Sequence, residues 1–339
     1  MPSTPPTHVP LSVATRGGAV ESTHYGAVAV TDRGGRILFS AGDPKVLTFT
    51  RSALKPLQAL PFVAGGGLER FGYSTQQTAL LCASHSGEPR HVEAVADMLA
   101  RSGSTAAELQ CGTHAPGFYD ARGQIPPPPP YSPLQHNCSG KHSGMLAYCV
   151  QCGHPKQTYL DPEHPLQREI RKAVVEMTGT RDADLVRGID GCSAPNYAFP
   201  LASLARAYAR LAADASDSVY GNAPRTLASA MTRHPEMVSG ERRSDLALMQ
   251  AGQGDWVAKI GAEGVQAVGV RSHGLGIAVK VADGQKRGLY PAVIAVLEQL
   301  GLLDARGREM LALWRQHEVT NYRGLVTGDV HATVVLDKH

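Results

Sequence analysis

Ser52 and Lys55 lie three residues apart in FTRSALKPLQALP, a spacing that stacks both side chains on one face of a helix. Pro56 fixes the frame. Its ring clashes with the carbonyl four residues back and is tolerated only near a helix start, and that carbonyl belongs to Ser52. Ser52 is therefore expected at a helix N-terminus, where backbone amides and the positive dipole end stabilise developing negative charge. The S-x-x-K arrangement lets a serine hydroxyl attack while a lysine takes its proton. The alternative is a helix-capping serine beside a solvent-facing lysine. A lysine base must have its pKa brought from about 10.4 to near 7.5, at a cost of roughly 4 kcal/mol that burial and a neighbouring cation can supply. WVAKIGAEG offers such a cation in Lys259, whose Lys-Ile-Gly triplet is a loose echo of the K-T-G edge-strand element that accompanies S-x-x-K.

Three loops rich in small residues carry further reactive side chains. LLCASHSGEPRH passes from apolar residues straight into Ser84, His85 and Ser86, a transition at which sites are commonly built; Ser86 as a helix cap and His85 as a core histidine are the alternative. HNCSGKHSG, residues 136–144, is not a phosphate loop, because Gln135 and His142 stand where a P-loop needs Gly and Ser or Thr. A metal site, a nucleophile or an ordinary helix entry remain open for it. GIDGCSAPNYAFPL places Asp190 and Cys192 in a second glycine-flanked turn, where Asp190 could orient a water or a substrate amine, or make an Asx turn. Two such cysteine loops are compatible with one metal held between them. The Cys149-x-x-Cys152 pair lies in an apolar helical run without a second pair, so packing is the favoured reading.

The elements that must position these residues form two groups. YGAVAVTD and RILFSAG read as strands joined by a turn at Arg33-Gly34-Gly35, and GVQAVGVRS, GLGIAVKVADG and HATVVL supply strands near the other end. Between them the pattern is helical over roughly 75–82, 90–102, 141–151, 164–178, 200–213, 224–237 and 244–251, with further helices at 290–300 and 304–317. This is an α+β chain: one antiparallel sheet assembled from both chain ends, and a central helical lobe. It is expected to be a single catalytic unit over 1–339, with a sheet lobe from about 1–50 and 255–339 and a helical lobe over about 52–254. IPPPPPYSP, residues 125–133, reads as a stiff connection over the surface.

The 339 residues are 42% apolar and 19% charged, which is ordinary for a globular chain. Thirty-three basic and 30 acidic residues are scattered in both signs and aromatics make up only 6%, so nucleic acid is not an expected partner. The first residues lack a basic and an apolar region, and no run approaches 18 apolar residues, so a cytoplasmic protein without membrane attachment is expected. Six cysteines are too few for a dense disulfide framework in a chain of 339 residues.

Taken together, VESTHYG, RSALKP, CASHSGE, HNCSGKHSGM, GIDGCSAPNYAFPL and WVAKIGAEG resemble, in order and over nearly the whole chain, the bacterial L-asparaginase family of the Rhizobium etli type. The resemblance implies a serine β-lactamase- and glutaminase-like fold, a homodimer, and hydrolysis of L-asparagine to L-aspartate and ammonia. It implies Ser52 with Lys55 as one catalytic pair and Ser84 with Lys259 as a second, with Arg51, Asp190 and His142 around the substrate. It also implies zinc, one ion per chain, on Cys138, Lys141 and Cys192, with water completing the tetrahedron. A lysine ligand is unusual, but the ion itself can drive off the proton. A β-lactamase-like or glutaminase-like amidase is the alternative enzyme, and a non-catalytic zinc-binding module the alternative outside catalysis.

Overall fold

Strands from the two ends of the chain pair directly in the computed structural model, which describes residues 7–339. The strands are β1 (Val9–Arg16), β2 (Ala19–Asp32), β3 (Ile37–Ala41), β4 (Leu47–Phe49), β5 (Val186–Ile189), β6 (Pro195–Pro200), β7 (Trp256–Gly261), β8 (Val265–Val270), β9 (Leu275–Val281), β10 (His317–Thr320), β11 (Val326–Ala332) and β12 (Asp337–Lys338). The main sheet runs β10-β11-β1-β2-β9-β8-β7, with β3 on β2 and β12 on β3. Its central seam pairs β2 antiparallel to β9, from Gly26 opposite Val281 to Asp32 opposite Leu275. The α+β architecture with a sheet built from both ends is therefore the observed one.

Helices cover both faces of this sheet. Leu201–Leu211 packs on β2, β8 and β9, while Lys286–Gln299 packs on β1, β9 and β11. The first buries Leu201, Leu204, Tyr208 and Leu211 completely. Each such side chain contributes roughly 1.5–3 kcal/mol of transfer free energy. Its backbone comes so close that a Cβ on Gly276 of β9 would stand 1.7 Å from the Ala205 carbonyl, so only glycine fits there. Most of the remaining helices form the second lobe, including Lys55–Ala64, Thr75–Leu80, Pro89–Arg101, Ser139–Cys152, Pro165–Thr178 and Ala223–Arg233.

Several elements differ from the sequence expectation. β1 falls in the N-terminal stretch, where Pro10 interrupts the alternation and the pairing with β2 shifts register between Pro10 and Ser12. The helix expected over 224–237 stops at Arg233, because Pro235 lacks the amide needed to continue it, and a short turn Pro235–Val238 follows. The 304–317 helix is two short pieces, Ala305–Met310 and Ala312–Arg315. In HATVVL only the first two residues are in β11, and the amides of Thr333 and Val334 turn instead to the Leu11 carbonyl.

The helical lobe also contains a second sheet, β4-β6-β5, that the sequence did not announce. β5 and β6 form a hairpin whose loop is Asp190 to Ala194, and β4 leads straight into Thr50 and Arg51. This small sheet brings the start of the Ser52 segment beside the Asp190–Cys192 turn.

Candidate active site

Ser52 lies in a tight 3-10 turn, Arg51–Leu54, that runs into the helix Lys55–Ala64, and the Lys55 amide donates to the Ser52 carbonyl. Pro56 occupies the first turn of that helix, as its ring requires. Ser52 is half-buried, whereas Lys55 is 1% exposed and Lys259 not at all. β7 is the edge strand of the main sheet, and it carries Lys259. A Cβ on Gly261 would stand 2.5 Å from the Thr50 carbonyl, so glycine lets the strand end lie directly against the turn that carries Ser52.

The Lys55 amine donates to the Ala83 carbonyl at 2.5 Å and the Asn137 carbonyl at 3.5 Å, and it lies 2.8 Å from the Ser84 hydroxyl. Two carbonyls and one hydroxyl suit an amine that presents two hydrogens and one lone pair. Its hydrogen bonds reach Ser84 and not its S-x-x-K partner Ser52. Ser84 is 4% exposed and its amide donates to the Val238 carbonyl, so the loop after the Thr75–Leu80 helix is fixed from both sides.

Lys259 does not contact Ser84. Its amine donates to Asp245 at 3.1 Å and to the Ile260 carbonyl at 2.8 Å. Burial is the main force on this ammonium and Lys55 adds repulsion; Asp245 opposes both, and the amine is pushed down to about 8. Nearby, burial pushes the Cys82 thiol up to about 12, so it stays a thiol. His85 and His91 stack at 5.0 Å, and burial first, then neighbouring cations, depress His85 well below the usual histidine value. His85 lies 2.9 Å from Ser139 Oγ and accepts from the Gly87 amide, which is the core-histidine alternative. Ser86 donates to the Ser239 carbonyl and does not cap the next helix.

Arg51 stands at the other side of Ser52 with φ +50°, a conformation that costs a non-glycine residue roughly 1–3 kcal/mol. Asn196 on β6 holds it there. Its side-chain amide accepts from the Arg51 amide and donates to the Arg51 carbonyl, both at 3.1 Å. The Arg51 guanidinium donates to Asp190 at 2.8 Å, and the same carboxylate oxygen accepts the Gly191 amide, so the Asx turn and the charged contact coexist. Burial alone would raise the Asp190 carboxyl, but Arg51 and Lys141 outweigh it and hold it below the usual carboxylate value. Arg51 and Asn196 also line an open cleft of about 450 Å³ with Phe49, Ile189, Glu263 and Lys280. Its chemistry joins that of the buried lysines through Arg51.

The two cysteine loops meet. Cys138 precedes the helix Ser139–Cys152 and Lys141 lies one turn on, so both face the β5–β6 loop, where Lys141 donates to Cys192 Sγ at 2.9 Å. Cys138 lies within hydrogen-bonding reach of Cys192; that contact comes first and nearby Lys55 and Lys141 add to it, pushing the thiol well below its usual value despite burial. Burial disfavours the Lys141 ammonium, yet the Cys192 and Cys138 sulfurs more than compensate and raise it. His142 Nδ1 is 2.7 Å from the Tyr159 hydroxyl, and its other ring nitrogen is buried without a partner. Burial pushes this histidine down to about 4. Among the described residues no three His, Cys, Asp or Glu side chains converge to hold a cation. The donor set here is two sulfurs and one amine, soft enough for zinc. Cys149 is buried in helix packing and Cys152 exposed, away from this set.

The sequence reading missed Asp245, Asn196 and Tyr159. Asn196 lay in the quoted GIDGCSAPNYAFPL run, but Asp245 and Tyr159 stand in stretches without any motif, and only folding brings them in.

A sequence profile of the family described as L-asparaginase II matches residues 13–332. A search of curated protein sequences returned no match. Among solved structures, Mglu in its glutamate form is 16% identical with a TM-score of 0.38, over 82% of this chain and 61% of that one. A beta-lactamase from Mycobacterium bovis is 14% identical with a TM-score of 0.34, over 86% of this chain and 95% of that one. The chain thus spans about three fifths of the Mglu length. No helix among the described residues is long and apolar enough to cross a membrane.

Proposed function

The chain belongs to the L-asparaginase II family, and from that premise we propose that it is an amidohydrolase that converts L-asparagine to L-aspartate and ammonia through a serine acyl-enzyme. The observation that carries this reading is the convergence of Lys55, Ser84 and Lys259 behind Ser52, with the Arg51–Asp190 pair facing the cleft.

In this reading Ser52 Oγ attacks the side-chain carboxamide carbon while Lys55 takes its proton. The tetrahedral adduct collapses, the C–N bond breaks, and the departing nitrogen receives the proton as ammonia. Water, losing its proton to the same base, then cleaves the Ser52 ester and releases aspartate. Half-buried Ser52 is open to substrate, and Ser84 relays protons from its place against Lys55. Arg51 takes the α-carboxylate and Asp190 the α-ammonium, with His142 beside them. A second reading makes Ser84 the nucleophile, and the 2.8 Å contact with Lys55 favours it.

Zinc is proposed on Cys138, Lys141 and Cys192, one ion per chain, supported by the sulfur and amine donors and the unpartnered His142 nitrogen beside them. Bound there, it would supply a Lewis acid that orients the substrate, since a serine already provides the nucleophile. A cytoplasmic homodimer is part of the same proposal.

The test is ammonia release from L-asparagine, L-glutamine and, as nitrogen-ring opening, a penicillin. Preference for asparagine supports the reading; turnover of glutamine or penicillin alone moves the substrate to the alternative amidases, and a zinc-loaded protein inert to all three is the non-catalytic module.

A further inference from the structure

Asp245 is the second residue of the helix Ser244–Ala251 and its carboxylate is completely buried. It accepts three hydrogen bonds. Oδ2 takes the Lys259 ammonium at 3.1 Å and the outward Ile260 amide of edge strand β7 at 3.0 Å, and Oδ1 takes the Gln266 amide at 3.1 Å. Ile260 and Gln266 are paired across β7 and β8, so one carboxylate ties both strands to the helix. Burying a charge this deeply is costly unless the group is paired and hydrogen-bonded, and here it is both. The second buried amine receives nothing comparable: Lys55 meets only two carbonyls and a hydroxyl.

We propose that Asp245 is a positioning residue that fixes Lys259 as the ammonium of the lysine pair and leaves Lys55 as the proton acceptor. One carboxylate serves two amines, and the fold gives it to Lys259 alone. This rests on the serine–lysine reading above. The other charged or titratable groups around the pair are Arg243 preceding the Asp245 helix, the Cys82 thiol after the Thr75–Leu80 helix, and Tyr208 and Tyr290 from the helices on either face of the main sheet. Burial keeps the thiol and both phenols protonated, and Arg243 repels Lys259, so Asp245 is the group that holds the proton there.

Activity then requires a charged Lys259 and falls as pH rises through about 8. Asp245→Asn keeps the shape and removes the charge. It should move the falling limb of ammonia release to lower pH by about one unit or more, because the attraction that favours the ammonium is lost. An Asp245→Asn enzyme with evenly reduced rates and an unmoved limb would overturn the proposal, since that is what a merely structural carboxylate gives. The unfolding midpoint against pH is a second readout that needs no substrate. Lys259 loses its proton at lower pH folded than unfolded, so stability should climb from about pH 8 toward the unfolded lysine value of about 10.4. The climb should begin at lower pH in Asp245→Asn and vanish in Lys259→Met. If Asp245→Asn does not fold, an equal climb in wild type and Lys259→Met overturns the idea. Should wild type release no ammonia from asparagine, the substrate reading fails while the midpoint still reports on the pair.

Discussion

The Lys55 amine stands 2.8 Å from the Ser84 hydroxyl, so the two serine–lysine pairs suggested by sequence spacing are joined through a shared lysine. If Ser52 is the nucleophile, Ser52→Ala should retain the fold and lose ammonia release by several orders of magnitude, while Ser84→Ala loses less. Ser52 is half-buried in a turn whose packing does not depend on its hydroxyl. Near wild-type turnover in Ser52→Ala, with Ser84→Ala inactive, would transfer the role to Ser84.

The donor set at Cys138, Lys141 and Cys192 predicts metal content. Purified protein should carry about one zinc per chain, and Cys138→Ala or Cys192→Ala should lower that sharply, because three protein ligands is the minimum such a site keeps. Elemental analysis reads this directly. Unchanged zinc in both variants, with loss in a Cys149/Cys152 double variant, would mean that the helical CxxC holds the ion.

Arg51 is held at φ +50° by Asn196 and aimed at Asp190, so its guanidinium has little freedom to lose on binding substrate. Arg51→Ala should raise KM for L-asparagine more than it lowers kcat, by roughly 10-fold to 100-fold for a lost charged hydrogen bond. Asn196→Ala should act in the same direction while touching no substrate, since it frees the backbone that aims Arg51. A variant that lowers kcat with KM unchanged would place Arg51 at the reacting bond instead.

How much of this was legible depended on whether a signal was local. The β-branched runs of β2, β3, β8 and β9 announced the sheet, and Pro56 announced the helix start that presents Ser52. The pairing of β2 with β9 joins residues about 250 apart and leaves no trace in either segment alone, but strands confined to the two ends made it the natural closure. The small sheet was not legible, because β4 has three residues and β5 contains Gly188, too short and too interrupted for periodicity. Asp245 was hidden for a different reason. An aspartate in the first turn of a helix normally reads as a favourable dipole contact, and nothing in ERRSDLALMQ says that its carboxylate turns inward to a lysine. Spacing grouped Ser52 with Lys55, yet the hydrogen bond goes to Ser84, since the direction of a lysine amine is set by the carbonyls that surround it.

The demand on Lys55 is the most exposed part of the mechanism. It needs a group that can both accept the serine proton and return it, and an amine held by two carbonyls with its remaining position on a hydroxyl has that geometry. Lys55→Arg keeps positive charge and length but cannot accept a proton at any working pH. Its rate should therefore fall by roughly 100-fold to 10,000-fold, the range removed with a general base, at every pH between 6 and 9. Lys259→Met, in contrast, removes the cation and not the base, so it should retain more activity and lose the decline expected near pH 8. Turnover in Lys55→Arg close to wild type would sink the serine–lysine mechanism, and metal-bound water at the Cys138, Lys141 and Cys192 set would become the better nucleophile.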